Sequence, residues 1–349
     1  MLAASPLQFS LPRSRIATVP PESRGLRRDD VRLLVASAGG VAHTRFKRLG
    51  DYLSPGDLLV VNTSQTMPAA VQGDLDGSIV GVHFSSLQND GNWSIELRQP
   101  DRSGPILDRL PGDVVRLPSG TLTLLDAESD QAPGEVRLWR AKLDVAGSTR
   151  RFFRRYGKPI RYGYVPDEWP LSAYQTVFAD HCTWPASSEM ASAARPFTKT
   201  LVADLRRSGV LIAPITLHAG VSSLEAHEPP RPEPYVVPAG TADLLNATRR
   251  AGRKVIAVGT TVTRALETVA LPDGTVQAGQ GWTDLVLGPD RPARAIDGLI
   301  TGWHPPEASH LQLLEAAVDP DLVATAYEAA LESDYLWHEF GDSCLLLSD

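Results

Sequence analysis

The segment VIAVGTTVTRALETV, residues 255–269, decides the fold. Val255 to Val258 has the length and composition of a buried strand, and Gly259 stands where a chain leaving a sheet must turn. The glycine permits a tight turn at the strand's carboxyl end, and Thr260 or Thr261 is expected to cap the next helix through its hydroxyl. That helix, predicted from about Val262, carries Arg264 in its first turn. A strand, turn and helix of this kind aim free N–H groups at whatever lies above, a setting that favours an anion such as a carboxylate. The stretch lacks the Gly-x-Gly-x-x-Gly of a dinucleotide site and the Gly-Lys-Ser/Thr of a P-loop. Taken alone, it is a plain capped helix with Arg264 paired on the surface.

The same texture extends on both sides. TKTLVADLRRS closed by Gly209 reads as a helix, VLIAPITLH as a strand, and TADLLNATRRA, opened by Thr241 and closed by Gly252, as a second helix before the strand KVIAV. Alternation of this kind calls for a largely parallel sheet covered by helices. Upstream the pattern changes. IVGVHF, WSIELRQP, DVVRLP, TLTLLDA and EVRLWRAKL are separated by Asn89-Asp90-Gly91, Pro111-Gly112 and Ser119-Gly120, with no helical stretch between them, and so predict a small antiparallel sheet or barrel. The fold expected is α/β: a barrel-like or mostly parallel α/β domain from residues 1–70 and 155–349, interrupted by a β-barrel domain at 71–154. The Pro-rich stretches at 228–238 and 303–309 read as rigid loops.

Composition narrows the function. The chain has 349 residues, 42% of them hydrophobic, enough for two domains with a sizeable core. Cys182 and Cys344 form neither a disulfide framework nor a zinc spacing. Pro6, Pro12 and Arg13 interrupt the N-terminus before a signal peptide could form, and no apolar run is long enough to span a bilayer, so a cytoplasmic protein with no membrane or metal is expected. A net charge of -7 argues against binding nucleic acid by bulk electrostatics. One stretch is an exception: Arg150, Arg151, Arg154, Arg155, Lys158 and Arg161, interleaved with Phe152, Phe153, Tyr156 and Tyr162, has the mixture that holds a polyanion and stacks on bases. The competing reading is a solvated helix face with its aromatics turned inward.

Three further loops share the character of the first. PITLHAG places His218 after a strand, GLITGWHPPEAS places Trp303, His304 and Glu307 after another, and YLWHEFGDSCLLL places His338 and Asp342 beside the last. Any one histidine is most simply a core or surface residue. Several titratable groups at the carboxyl ends of parallel strands converge on one cleft, and that raises the set above its members.

DLLVVNTSQTMPA, AYQTVFAD, ITLHAG, VIAVGTTVTRALE, IDGLITGWHPPEAS and FGDS occur in the order and at roughly the spacing of a known family. The chain resembles the S-adenosylmethionine:tRNA ribosyltransferase-isomerases of queuosine biosynthesis, and the β-rich insertion falls where that family has its small barrel. The resemblance implies that S-adenosylmethionine is a co-substrate. Its ribosyl moiety is moved onto 7-aminomethyl-7-deazaguanine in tRNA and rearranged, and adenine and methionine leave. A sulfonium acidifies the neighbouring ribose carbon, so the site needs a proton acceptor, an acid for adenine, a holder for the methionine carboxylate and an apolar wall. On this sequence His218 is the expected proton-transfer group, with His304 or Glu307 as the second. Gly259, Thr260, Thr261 and Arg264 would hold a carboxylate or ribose hydroxyls, Trp303 and Tyr174 would face the sulfonium, and Gln175, Glu233 and Asp342 would orient substrate. Asn62 lies in the first matching block. Where the family carries Asn-Asn-Thr-Arg and Pro-Ala-Arg, this chain reads Asn62-Thr63-Ser64-Gln65 and Pro68-Ala69-Ala70. Two arginine positions are thus neutral, and three readings stay open: transfer to tRNA, with the basic stretch as its contact; transfer to a small molecule or simple cofactor cleavage; and a binding module without catalysis.

Overall fold

The computed structural model describes residues 7–128, 135–221, 230–288, 290–306, 308 and 310–348. Three strands come first, β1 (Arg32–Ser37), β2 (Gly40–Arg45) and β3 (Leu58–Asn62). Next are β4 (Ala70–Leu75), β5 (Ser78–Leu87), β6 (Trp93–Arg98), β7 (Val114–Leu117), β8 (Gly120–Ala127) and β9 (Leu138–Val145), which close into an antiparallel barrel in the order β4-β5-β6-β9-β8-β7. Helix α1 (Thr149–Tyr156) leads out of the barrel. The chain continues through α2 (Lys199–Arg207), β10 (Leu211–Leu217), β11 (Glu233–Val237), α3 (Ala239–Arg250), β12 (Val255–Val258) and α4 (Thr260–Thr268). It ends with β13 (Gly279–Thr283), β14 (Gly298–Gly302), α5 (His310–Ala317), α6 (Pro320–Glu332) and β15 (Ser343–Leu347).

Strands from both chain ends form one open nine-stranded sheet, ordered β13-β11-β10-β3-β12-β14-β15-β1-β2. Its centre, β10 to β14, is parallel, while β11, β13, β15 and β2 add antiparallel pairings, so the sheet is mixed. The buried runs LLVV of β3 and VIAV of β12 occupy this centre, as expected for strands covered on both faces. Val255 and Ala257 enter the core under α3 to α6, and Ile256 and Val258 enter the opposite core with Leu201 and Phe197. The two-residue period of one strand thus serves two cores.

Several predicted boundaries shift. Helix α4 starts at Thr260, and its N-cap is Gly259, which offers no side-chain cap; neither threonine hydroxyl caps the helix. Helix α3 starts at Ala239 behind Pro238, so Thr241 lies inside it and donates its hydroxyl to Pro214 O at 2.6 Å. Part of the Pro-rich stretch at 228–238 is not a loop: Glu233–Val237 is β11, paired with β10 and β13.

The basic run folds as α1, capped by Ser148, whose hydroxyl accepts from Arg151 N. Phe152 and Phe153 are buried in the barrel core, where Phe153 meets Phe84, Trp93 and Trp184. The exposed face carries Arg150, Arg151, Arg154 and Arg155. Lys158 and Arg161 both pair with Glu168, at 2.8 and 3.2 Å, and Arg150 donates to His181 O at 2.9 Å. Among the described residues no helix is long and apolar enough to cross a membrane.

Candidate active site

Strands β3, β10, β12 and β14 run parallel, so they end along one edge of the sheet. The segments leaving β10, β12 and β14 meet there with the barrel residues Arg98 and Arg102 and with segments 162–164 and 189–193. Together they line a cavity of about 530 Å³, a size suited to a small-molecule substrate.

The first wall is the start of α4. Gly259 has φ +99°, in the region that favours glycine, and a Cβ there would come within 3.2 Å of the Ala193 Cβ. Because the N-cap has no side chain, the first N–H groups of α4 lack a side-chain cap, and Val258 to Thr261 line the cavity. This is the arrangement that receives a carboxylate. The Thr261 hydroxyl instead accepts from Asn62 Nδ2 at 3.3 Å.

Arg264 props the second wall. Its Nε donates to Leu285 O at 3.1 Å, its Nη2 to Arg231 O at 3.1 Å and Thr283 O at 3.2 Å, and its Nη1 to Glu233 Oε2. The other Glu233 oxygen accepts from Gly220 N at 3.0 Å. Burial pushes the Glu233 carboxyl up, against the pull of Arg264. Arg264 and Glu233 both line the cavity, yet most of their hydrogen-bonding capacity goes to the loops that frame it. A buried guanidinium needs acceptors for its N–H groups, and these loops supply them.

The third wall carries imidazoles. His304 Nε2 lies 3.0 Å from Thr301 Oγ1, and its ring stacks on His310 at 4.7 Å. Burial first, then His310 and His338, holds His304 well below its ordinary value, and burial takes His310 and His338 to about 4. All three are neutral at pH 7 and have a lone pair available.

The fourth wall carries acids. Tyr162 donates to Glu189 and Tyr164 to Glu339 Oε2, the latter at 3.4 Å. Burial, reinforced by the Glu189 charge, lifts the Glu339 carboxyl to about 8. Behind the barrel side, Glu96 accepts from Arg98 at 3.0 Å and from Arg137 at 2.7 Å, with His83 at 3.7 Å. Burial opposes ionisation of Glu96, but His83 and the two arginines overcome it and hold the carboxyl near 2.

Of the residues given cofactor-binding or catalytic roles from the sequence, seven line one cavity, Glu233, Gly259, Thr260, Thr261, Arg264, Trp303 and His304, and His338 and Tyr162, singled out on other grounds, line it too. Trp303 is only 1% exposed, and its ring packs on Tyr327 and Trp337 at 5.0 and 5.4 Å. Its indole thus belongs chiefly to the core. His218 does not line the cavity, though Ala219, Gly220 and Val221 beside it do. Its Nδ1 lies 2.7 Å from Ser64 Oγ, and burial lowers its pKa. Asn62 ties β3 to β10: its Oδ1 accepts from Leu217 N and its Nδ2 donates to Leu217 O. Gln175 makes two hydrogen bonds to the Thr66 backbone, and Tyr174 packs on Phe340 away from the cavity. Asp342 accepts from Arg32 N at 2.7 Å and Leu336 N at 2.9 Å, while burial raises its carboxyl. Glu307 lies outside the described residues.

Sequence reasoning missed Glu189, Glu339 and Arg98, and it read Tyr162 as part of a polyanion surface. Tyr164 and Glu339 are 175 residues apart, and no periodicity signals such a pairing. Among the described residues no group of three His, Cys, Asp or Glu side chains is arranged to hold a metal ion.

A family model described as queuosine biosynthesis protein matches residues 4–346. The chain belongs to this family. Among its relatives is the S-adenosylmethionine:tRNA ribosyltransferase-isomerase of Natranaerobius thermophilus, 32% identical over 97% of each chain. The protein of the same description from Heliobacterium modesticaldum is 34% identical and covers 97% of this chain and 98% of its own. The crystal structure of S-adenosylmethionine tRNA ribosyltransferase from Thermotoga maritima is similar, with a TM-score of 0.52 and 26% identity over 97% of this chain and 99% of that one. The open sheet with an inserted closed barrel is thus the fold of this family member.

Proposed function

We infer that the chain is an S-adenosylmethionine-dependent ribosyltransferase-isomerase acting on tRNA that carries 7-aminomethyl-7-deazaguanine, releasing adenine and methionine. The observation behind this reading is the cavity itself: an uncapped helix start, neutral imidazoles and the acidic side chains of Glu189, Glu233 and Glu339 gather at one edge of the sheet, in a chain that enzymes of that description match over 97% of its length.

On this reading the methionine carboxylate lies against the N–H groups of Thr260 and Thr261, where the helix dipole favours negative charge. His304, kept neutral by burial, takes the proton from the ribose carbon beside the sulfonium. Arg264 and Glu233 fix the loop carrying Gly220 so that the cavity keeps its shape. His218 acts one layer out, setting that loop through Ser64. Glu307, which the sequence offered as the alternative to His304 for the second proton-transfer group, remains the candidate for that role. The barrel and α1 offer tRNA a basic face through Arg150, Arg151, Arg154 and Arg155, and this stretch runs on to Tyr162 at the cavity wall.

Adenine and methionine release from S-adenosylmethionine, followed with and without the modified tRNA, tests the reading. Release that depends on tRNA is expected. Release at the same rate without tRNA would remove tRNA from the reaction.

A further inference from the structure

A cavity of about 530 Å³ can take a nucleobase but not the backbone that carries it. An acceptor base in tRNA must therefore be turned inward, and its flanking phosphates stay at the mouth. Burial locates that mouth. Among the described residues lining the cavity, only Ser103 of the barrel and Gly163 of the facing segment are exposed. Arg102 joins the two: it precedes Ser103 in the chain, and a Cβ on Gly163 would stand 3.7 Å from Arg102 O.

The turn carrying Arg102 holds it in place. Arg102 has φ +65°, a left-handed conformation that a long side chain keeps only where its surroundings impose it. Here Arg102 N donates to Gln99 O, Gln99 N to Gly104 O and Ser103 N to Asp101 Oδ1, each at 2.9 Å. The guanidinium then donates through Nη1 to Val165 O at 3.1 Å, which fixes it against the segment beside Gly163. That bond uses one of its five N–H groups, and the side chain makes no other hydrogen bond or ion pair among the described residues. The other three arginines on the cavity differ. Arg98 pairs with Glu96 at 3.0 Å and Arg264 with Glu233, both of them buried, while Arg231 acts on the Glu128 carboxyl. Asp101 and Glu168 feel the Arg102 charge, but Asp101 accepts from Ser103 N and Glu168 already holds Lys158 and Arg161.

We propose that Arg102 binds a phosphate next to the acceptor base while that base occupies the cavity. This rests on the tRNA reading above. A guanidinium with free N–H groups meets two phosphate oxygens at once, so it sets orientation as well as place. Arg154 and Arg155, on the exposed face of α1, attract RNA without regard to which nucleotide lies there; Arg102, at the mouth, decides which one is presented. The methionine carboxylate is the other anion of the reaction, and on the same reading the α4 amides receive it.

The test combines a change in the protein with a change in the RNA. Glycine adopts φ +65° freely, so Arg102→Gly removes the guanidinium without straining the turn. In tRNA carrying 7-aminomethyl-7-deazaguanine, a neutral methylphosphonate replaces the phosphate on the 5′ or the 3′ side of that nucleotide, each against a matched phosphate control. With the unsubstituted protein, one of the two replacements is expected to weaken binding about tenfold, the loss of one charge-assisted contact. Arg102→Gly should weaken binding of the control tRNA by about the same factor and lower the log–log salt slope by about 1, with S-adenosylmethionine affinity within about twofold. In that variant the sensitive methylphosphonate should cost no more than about a further twofold, because its partner is already gone. Losses that multiply at both positions overturn the assignment. So does an unsubstituted protein indifferent to both replacements, a result that needs no variant to fold. A tenfold loss of S-adenosylmethionine affinity in Arg102→Gly would overturn it as well, by assigning the guanidinium to the co-substrate or to the cavity's carboxylates. Failure of the unsubstituted protein to bind the control tRNA instead overturns the tRNA reading, and the phosphate contact with it.

Discussion

Glu96 in the barrel and Glu339 at the cavity wall are both sheltered carboxyls, yet one is held near 2 and the other near 8. Burial pushes both in the same direction. The difference comes from their neighbours: Arg98, Arg137 and His83 surround Glu96, whereas the Glu189 charge adds to burial at Glu339, and the Tyr164 hydrogen bond and the Arg195 charge only partly offset them. The barrel thus holds its buried charge as a permanent structural group, and the cavity keeps a carboxyl that can gain or lose a proton near neutral pH. Chemistry needs the second kind of site and a framework needs the first.

The largest expected effect breaks the barrel's side of this contrast. Glu96→Ala removes the buried carboxylate that Arg98 and Arg137 share and should cost about 3–5 kcal/mol in urea unfolding at pH 7. Because its folded pKa lies below the ordinary 4.5, the stability due to Glu96 is present above 4.5 and is lost as pH falls through about 2. A cost under ~1 kcal/mol would mean that the cluster is solvated.

Glu339 behaves in the opposite sense. Its folded value near 8 exceeds the ordinary 4.5, so between these pH values the folded state binds more protons and stability falls as pH rises. Glu339→Gln should flatten that fall, which is on the order of 2 kcal/mol once water in the cavity is allowed for. Melting temperatures from pH 5 to 8 measure it, and parallel curves for the two proteins would place Glu339 in a water-like setting.

Gly259→Ala sharpens the cavity's side further. At φ +99° an alanine is strained, and its Cβ presses on Ala193, so a loss of about 1–2 kcal/mol is expected with weaker S-adenosylmethionine binding in calorimetry. Unaltered affinity would detach the α4 start from the ligand. The smallest change in stability belongs to Arg154→Ala with Arg155→Ala, within about 0.5 kcal/mol because both side chains are exposed. Its effect should appear instead in the salt dependence of tRNA binding, with the log–log slope reduced by about 2. An unchanged slope would make this face merely solvated.

The same contrast explains what could be read without coordinates. The strand, turn and helix at 255–269 follow from local apolar runs and a glycine, as do the closely spaced barrel strands, and both are present. Convergence of the Gly259 and His304 loops follows from parallel strands. The α4 cap did not follow, because Gly259 can serve as N-cap itself once its φ is positive. Nor did the fate of Arg264: a charge in a first turn looks like a ligand until the carbonyls of Arg231, Thr283 and Leu285 are seen to surround it. Glu339 was hidden because its properties depend on Glu189, Tyr164 and burial, none of which is local in sequence.

Solving the crystal structure with bound S-adenosylmethionine is the most direct test of the whole account. The methionine carboxylate should lie within hydrogen-bonding distance of the Thr260 and Thr261 amides, with the ribose facing His304. Ligand density outside this cavity, or a carboxylate turned away from α4, would contradict it.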